Sequence, residues 1–380
     1  MFEIMQNRKV IFGENGTRRI KDLLPAIHAT NVFIITYHTR SSAVEQIISD
    51  ISSIGVKFCK CDPIKGEPDL YAIDRAVKTL KEQKCDCVLA VGGGSVMDTG
   101  KAVAMISTNG GTAEEYQMQN RPIENPTLPV IMVPTTAGTG SEATRVSVIY
   151  NNNNHFKKSI YSPYMIAETV ILDPLVTVDL PARLTATTGI DALSHAIESY
   201  VSLDATPYTE MYSLKALELI SRSLRKAVED GKNIQARTDM LYASYFAGCA
   251  LQAGIGLAHI IAQPIGGLLK IPHGDACSIF LPHSMEYNRE HSIKKYSDIA
   301  RILGSDSKEN DLHNVDYAID RVKSLIHAVN GPTDIKPYIK KNEFDLDKAV
   351  EAIHGSTSHI KCNPRPVTVE AIQSVLRKVV

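Results

Sequence analysis

The sequence predicts an α/β protein: an N-terminal doubly wound parallel-sheet domain over residues 1–180, then an all-helical domain over residues 181–380. Three observations carry this. A chain of 380 residues exceeds what one hydrophobic core usually serves. Up to Pro134, short apolar runs alternate with segments of helical period. Beyond Pro181, long helical patterns take over and β-branched runs become rare.

Taken in order, residues 32–36 read as a strand and 42–54 as a helix, with Val44, Ile47, Ile48 and Ile51 on one face. A strand at 56–59 follows, then a turn at Gly66–Pro68 and a helix over 70–84. A strand at 87–91, a helix beginning near Ser95 and a strand at 128–133 continue the alternation. Strand–helix–strand repeats of this kind build parallel sheets. The domain boundary falls at 179–181, and helices are expected over 185–201, 208–229, 234–253 and 317–328. The run Asn151–Asn154 reads as a hairpin turn.

Hydrophobic residues make up 44% and charged residues 22%, too apolar a balance for a disordered chain. Lys and Arg number 41 against 42 Asp and Glu, so the basic excess of a dedicated nucleic-acid or membrane-surface binder is missing. The N-terminus carries no apolar signal core. Seven cysteines form an odd, dilute set that suits a reducing cytoplasm, and Cys59/Cys61 and Cys85/Cys87 read as buried, inert thiols. Between Asp239 and Lys270 no Asp, Glu, Lys or Arg occurs, a length that could span a bilayer. The stretch also holds Gln252, His259, Gln263, Pro264 and five glycines, which suit packed helices around a polar site rather than a membrane.

Two glycine-rich turns stand at strand ends. Val91-Gly92-Gly93-Gly94-Ser95-Val96-Met97-Asp98 leaves a strand and opens a helix, where bare backbone and free amides can approach phosphate oxygens. Ser95 and Asp98 have the spacing of a capping box. Alone, this motif fits a phosphate cradle and a plain tight turn equally. It is not a P-loop, which would need Gly at 95 and Ser or Thr at 102, nor G-x-G-x-x-G, which would need Gly at 97. Pro134-Thr135-Thr136-Ala137-Gly138-Thr139-Gly140-Ser141-Glu142 follows another strand, and its hydroxyls suit either a ligand loop or a polar surface loop. Open α/β sheets bind ligands where such loops gather.

Asp191 and His195 stand four apart on one helical face, able to chelate one ion. His259 and His273 follow. One carboxylate and three imidazoles complete a shell for Fe²⁺ or Zn²⁺, with no need of a thiolate. The Asp/His pair alone is better explained as a solvated helix face. The uncharged surroundings of His259 and the glycine beside His273 tilt the balance toward a cation, because a buried imidazole needs a partner.

With these motifs assembled, the chain is similar to the iron-containing (group III) alcohol dehydrogenase family. Four segments carry the resemblance in order: Gly92–Asp98, Pro134–Glu142, Gly189–Glu198, and the pair Gly256–His259 with Ile271–Gly274. It implies a dehydroquinate synthase-like architecture, with a nicotinamide-binding domain, an all-helical domain and a metal in the cleft between them. It further implies that Gly92, Gly93, Gly94, Ser95 and Asp98 form the pyrophosphate turn, that Thr135, Thr136, Thr139 and Ser141 form a second cofactor loop, and that Lys157 lies near the cofactor ribose. Asp191, His195, His259 and His273 match the four metal ligands, through which catalysis would run.

Two departures from the family pattern stand out. Gln263 replaces a histidine close to the nicotinamide, so a substrate or nicotinamide contact there cannot titrate. After the first strand, no acid occurs from Thr36 to Ser42; Thr39, Arg40 and Ser41 could instead hold a 2′-phosphate, which favours NADP(H) slightly over NAD(H). The implied activity is hydride transfer between a nicotinamide and a small primary alcohol or aldehyde, in a cytoplasmic homodimer or larger homo-oligomer with no nucleic-acid or membrane partner. Alternatives are reduction of an anionic aldehyde (phosphonate-, phosphate- or carboxylate-bearing) and, less favoured, a dehydroquinate synthase-type lyase.

Overall fold

The computed structural model describes residues 1–37, 41–61, 64, 66–154, 156–339, 344–355 and 361–380. It divides into two compact units, Met5–Leu180, and Pro181–Val380 together with Met1–Ile4.

The first unit contains strands β1 (Lys9–Phe12), β2 (Asn31–Thr36), β3 (Lys57–Lys60), β4 (Cys87–Gly92), β5 (Val130–Pro134), β6 (Val146–Asn151), β7 (Phe156–Tyr161) and β8 (Thr169–Leu172). Its helices are α1 (Ile20–Ala26), α2 (Ser42–Ser53), α3 (Leu70–Glu82), α4 (Gly94–Asn109) and α5 (Ala113–Met118). Six strands form one parallel sheet in the order β1-β8-β5-β4-β2-β3. Every residue of β4 is buried, as a strand covered on both faces must be. On one face Ile20 and Leu24 of α1 and Val44, Ile47 and Ile51 of α2 share a core with Ile34, Leu89, Val91 and Ile131. On the other face α4 lies close on β4: a Cβ on Gly100 would sit 3.0 Å from Ala90 and 3.7 Å from Val88. The sheet is therefore doubly wound.

Strands β6 and β7 form the antiparallel hairpin expected around Asn151. The Asn151 side chain accepts from the backbone amides of Asn153 and Asn154, closing the turn locally. Neither these strands nor β1 and β8 stand out in the sequence. Cys87 is fully buried and Cys85 nearly so, and burial pushes the Cys85 thiol up to about 11, in keeping with inert thiols.

The described part of the second unit is helical throughout: α6 (Ala182–Val201), α7 (Pro207–Glu229), α8 (Ile234–Ala250), α9 (Leu257–Leu269), α10 (His273–Asn288), α11 (Ile293–Ile302), α12 (Leu312–Ala328), α13 (Leu346–Gly355) and α14 (Val369–Val379). Side-chain caps begin several of them. Asn233 accepts from Ala236 at the start of α8, and Thr206 and Thr209 form a reciprocal capping box on α7. Helix α6 is buried almost throughout from Thr185 to Val201 and forms the spine of the unit. No single described helix is long and apolar enough to cross a membrane, and the uncharged stretch falls on two helical segments, Ile234–Ala253 and Leu257–Leu269, bent by 104°.

Candidate metal centre and cofactor loops

In the first unit the loops after β2, β4 and β5 meet at the carboxyl ends of three neighbouring strands. The connections diverge between β2 and β4, since β3 lies on one side of β2 and β4 on the other. That switch point is where parallel α/β sheets open a ligand crevice. Gly93 marks the meeting place. A Cβ there would sit 3.1 Å from Thr136 and 3.3 Å from the Tyr37 hydroxyl; one on Gly94 would meet Thr139 at 2.7 Å. The two glycine-rich turns are thus in contact: a side chain at 94 would force Thr139 to move, and one at 93 would be tightly crowded.

The helix α4 begins at Gly94 with Gly93 as its N-cap, and no side chain caps it. The capping box expected from Ser95 and Asp98 does not form. Asp98 is taken up elsewhere: Oδ1 accepts 2.6 Å from the Ser141 hydroxyl and pairs with Lys101 Nζ at 2.9 Å, while Oδ2 accepts from the Val148 amide. Both Asp98 and Ser141, expected to face the cofactor, tie the second turn to α4. Lys101 is fully buried and also donates to the carbonyls of Ser141 and Val146. Gly92 and Thr135 are joined by a backbone bond, and Ser95 hydrogen-bonds Tyr37. Lys157, on β7, pairs with Glu67 at 2.5 Å. Thr36 ends β2 and Ser41 precedes α2; Thr39 and Arg40 lie outside the described residues.

In the second unit, α6, α9 and α10 each contribute to one polar cluster. Asp191, His195 and Glu198 share a face of α6, at intervals of four and three. His259 sits in the first turn of α9, and His273 opens α10. The Nε2 atoms of His259 and His273 both lie 3.4 Å from Asp191 Oδ1. His195 Nε2 is 3.6 Å from the same oxygen, and its ring stacks on His259 with centroids 4.6 Å apart. Close approach of the helices depends on two glycines. A Cβ on Gly274 would meet the Thr187 carbonyl at 2.2 Å, and one on Gly256 would meet Glu198 Oε1 at 2.8 Å. Asp275, in the first turn of α10, accepts from Arg183 and Tyr338 and fixes the start of that helix.

Glu198 was not singled out from the sequence as a functional residue, although the regular spacing along α6 is its signal. Its Oε2 accepts 2.6 Å from His259 Nδ1, and Oε1 accepts from the Ala258 amide. Fixing the proton on Nδ1 leaves the Nε2 lone pair directed at the cluster, the arrangement a histidine ligand needs. Cys277, one turn after His273 on α10, was also missed. Its Sγ lies 3.5 Å from His259 Nε2, 3.6 Å from Asp191 Oδ1 and 3.7 Å from His273 Nε2, beside the donors expected from the sequence. Asp191, His259, His273 and Cys277 form the mutually close set of donors; His195 lies just outside it. Gln263 is half-buried, one turn along α9 from His259.

The electrostatics call for positive charge. Burial alone would raise the Asp191 carboxyl, but the imidazoles of His195 and His273, with bonds from His259 and His273, hold it well below the usual range. Burial would likewise lower His273; the neighbouring Cys277 and Asp191 override it and lift the group to about 10. Burial pushes His195 down to about 4, so that ring is neutral, and its Nδ1 is buried without a hydrogen-bond partner. Two imidazole Nε2 atoms gathered 3.4 Å from one buried carboxylate oxygen, beside a neutral imidazole with an orphaned nitrogen, fit a divalent cation.

Comparison with known proteins agrees with this arrangement. The profile described as iron-containing alcohol dehydrogenase matches residues 7–174, and that described as the C-terminal part of the Fe-containing alcohol dehydrogenase family matches residues 185–380. The chain belongs to the iron-containing alcohol dehydrogenase family. It is a metal-dependent oxidoreductase of alcohols and aldehydes. It is 32% identical over 374 residues to the NAD-dependent methanol dehydrogenase of Bacillus methanolicus, covering 97% of both chains. It is 32% identical over 375 residues to the sulfoacetaldehyde reductase of Bilophila wadsworthia, covering 97% of this chain and 96% of the relative. The crystal structure of a 1,3-propanediol oxidoreductase superposes with a TM-score of 0.95 at 30% identity, with full coverage of both chains.

Proposed function

We propose that the chain interconverts a small primary alcohol and its aldehyde, with one divalent cation (Fe²⁺ or Zn²⁺) held by Asp191, His195, His259 and His273 of the helical domain. The convergence of the His259 and His273 Nε2 atoms on Asp191 Oδ1 carries this reading. When bound, such a cation lowers the pKa of an alcohol hydroxyl or polarises an aldehyde carbonyl, while the nicotinamide carries the hydride. Asp191 supplies one negative charge against the cation's two, and the neutral His195 adds none, so a net positive site remains to favour oxyanion character in the substrate. Glu198 holds the His259 ring in orientation. His273, with 31% of its side chain exposed, is the ligand on the open side. Gln263, one turn along α9 from His259, would donate or accept at substrate or nicotinamide without carrying a proton.

The first domain would hold the dinucleotide. Gly92, Gly93, Gly94 and Ser95 present bare backbone at the start of α4, and Thr135, Thr136 and Thr139 face it across the crevice. Asp98 and Ser141 act by holding those turns together. The NADP(H) preference drawn from Thr39, Arg40 and Ser41 has no support in the described residues, and the methanol dehydrogenase relative is named for NAD. The cofactor is therefore proposed as a nicotinamide dinucleotide, with the choice set by residues 36–41.

No disulfide forms among the described residues, which suits a reducing cytoplasm. A homodimer or larger homo-oligomer is proposed, and light scattering on the purified protein measures it. Among substrates, a relative named sulfoacetaldehyde reductase keeps anionic aldehydes beside simple ones. The deciding experiment is elemental analysis combined with oxidation of NADH and NADPH across butanal, 3-hydroxypropanal and sulfonate- or carboxylate-bearing aldehydes. Full turnover in metal-free protein would overturn the assignment of the cation.

A further inference from the structure

We infer that Asn363 is a positioning residue for the metal centre: its side chain caps helix α9 and so holds His259 at the cluster. The inference rests on the metal reading above and leaves its four ligands as they stand. Gly256, the N-cap of α9, has no side chain to offer, and backbone bonding along the helix begins at Ile260, which donates to the Gly256 carbonyl. The amides of Leu257 and Ala258 must find acceptors outside the helix. Leu257 donates to Asn363 Oδ1 at 3.1 Å, across 106 residues of sequence, and Ala258 donates to Glu198 Oε1 at 2.6 Å. Glu198 then has Oε2 left for His259 Nδ1.

Asn363 frees Glu198 for that second duty. A Cβ on Gly256 would lie 2.8 Å from Glu198 Oε1 and 3.1 Å from Asn363 Oδ1, so both acceptors sit over the same turn. Without the Asn363 oxygen, the Leu257 amide would be left to compete for Glu198, because a buried amide without a partner is costly. That competition would draw the carboxylate off the imidazole. The orientation of the Asn363 amide is dictated by its partners, since the Leu257 amide can only donate and the Arg365 carbonyl can only accept. Asn288, the last residue of α10, makes a reciprocal pair with it, donating to Oδ1 at 3.0 Å and accepting from Nδ2 at 2.9 Å. Two bonds accepted and two donated use the whole capacity of this nearly inaccessible side chain. It thus ties the start of α9, which carries His259, to the end of α10, which opens with His273. Flanking residues seat the segment: the Cys362 carbonyl accepts from the Leu203 amide, Cys362 Sγ donates to the Ile255 carbonyl, and the Arg365 guanidinium lies 4.2 Å from the Tyr287 ring centroid.

The test reads metal affinity and hydrogen exchange, not turnover. Chelator-stripped full-length protein is titrated with Zn²⁺ against a competing chelator. Asn363→Ala should raise the zinc Kd at least about tenfold, the loss typical of a residue that orients a ligand. Arg365→Ala loosens the same segment at its exposed end without touching α9, and should lower Tm with little change in Kd. Linkage supplies a second measurement on the wild type alone: if the cap strengthens metal binding, bound metal must tighten the cap. Saturating Zn²⁺ should therefore slow amide exchange in peptides covering 254–262 and 361–367, and leave 369–379 of α14 unchanged. A wild-type Kd in Asn363→Ala would overturn the positioning role and leave the metal reading standing. An equal rise in Kd for Arg365→Ala would also overturn it, by making any loosening of the segment sufficient. Should Asn363→Ala fail to fold, exchange at 361–367 decides, and indifference to Zn²⁺ there overturns the inference. Failure of the wild type to bind Zn²⁺, Co²⁺ or Fe²⁺ at all would overturn the metal reading itself.

Discussion

Glu198 Oε2 accepts a 2.6 Å hydrogen bond from His259 Nδ1, between two side chains both nearly inaccessible to solvent. A carboxylate behind a ligating imidazole fixes its tautomer and raises its basicity, and loss of such a partner typically costs about 10- to 100-fold in metal affinity. Glu198→Gln should weaken metal binding by that amount, read by chelator competition, while still offering an oxygen to the Ala258 amide. An unchanged metal affinity would reduce Glu198 to a helix anchor.

Asp191 is the oxygen on which three imidazoles converge. Asp191→Ala should abolish stoichiometric metal and reduce kcat by several orders of magnitude, while leaving NADH binding to the first domain intact by fluorescence titration. His195→Ala should be milder, because that ring lies at the edge of the close-set donors. Equal loss in the two variants would mean that His195 holds the cation as firmly as Asp191 does, and unchanged metal in His195→Ala would remove it from the proposed ligands.

Much of this was legible in the sequence because it is local. Gly92–Ser95 follows an apolar strand, and Asp191 and His195 share a helical period, so backbone placement follows from spacing alone. The hairpin at Asn151 was visible for the same reason. Roles decided by distant partners were hidden. Asp98 and Ser141 read as cofactor contacts, and their 2.6 Å bond to each other, across 43 residues of sequence, could not be read from spacing. Cys277 meets Asp191 across 86 residues, and no periodicity brings α10 to α6. The strands β1 and β8 were missed because each is four residues long, and β1 is only partly buried.

Gly274 and Gly256 both allow close approach, but against different neighbours. At Gly274 the obstacle is the Thr187 backbone carbonyl at 2.2 Å, which cannot rotate away. Gly274→Ala should destabilise the helical domain by about 1–3 kcal/mol, seen as a lower Tm, because overpacking forces α10 off α6. At Gly256 the obstacle is the Glu198 carboxylate, a side chain that can move. Gly256→Ala should therefore weaken metal binding more than it lowers Tm. The reverse ranking would mean that α9 is held more rigidly than α10.

Tyr37 stands beside Gly93 at the end of β2, hydrogen-bonded to Ser95, where a carboxylate could reach a ribose 2′-hydroxyl and repel a 2′-phosphate. Tyr37→Asp should raise the ratio of kcat/KM for NADH over NADPH by about tenfold, or about 1.4 kcal/mol of discrimination. The ratio in the wild type sets the starting point, and a ratio unmoved by the substitution would place the 2′ position elsewhere.

Glu142 closes the second turn with both carboxyl oxygens buried and unpartnered, and burial raises its pKa from 4.5 to about 7 despite the attraction of Lys101. The folded state therefore holds the proton more tightly than the unfolded chain. Between pH 4.5 and about 7 the native protein binds more protons, so its stability falls as pH rises through that window, by an amount of order 3 kcal/mol. Glu142→Gln removes the titration. The amide still lacks partners, so the variant need not be more stable at pH 5, where the wild-type carboxyl is already neutral. At pH 8 its Tm should exceed that of the wild type, and the difference between the two proteins should vanish progressively below pH 6. Parallel Tm profiles from pH 5 to 8 would show that Glu142 is charged throughout and that Lys101 compensates it in full.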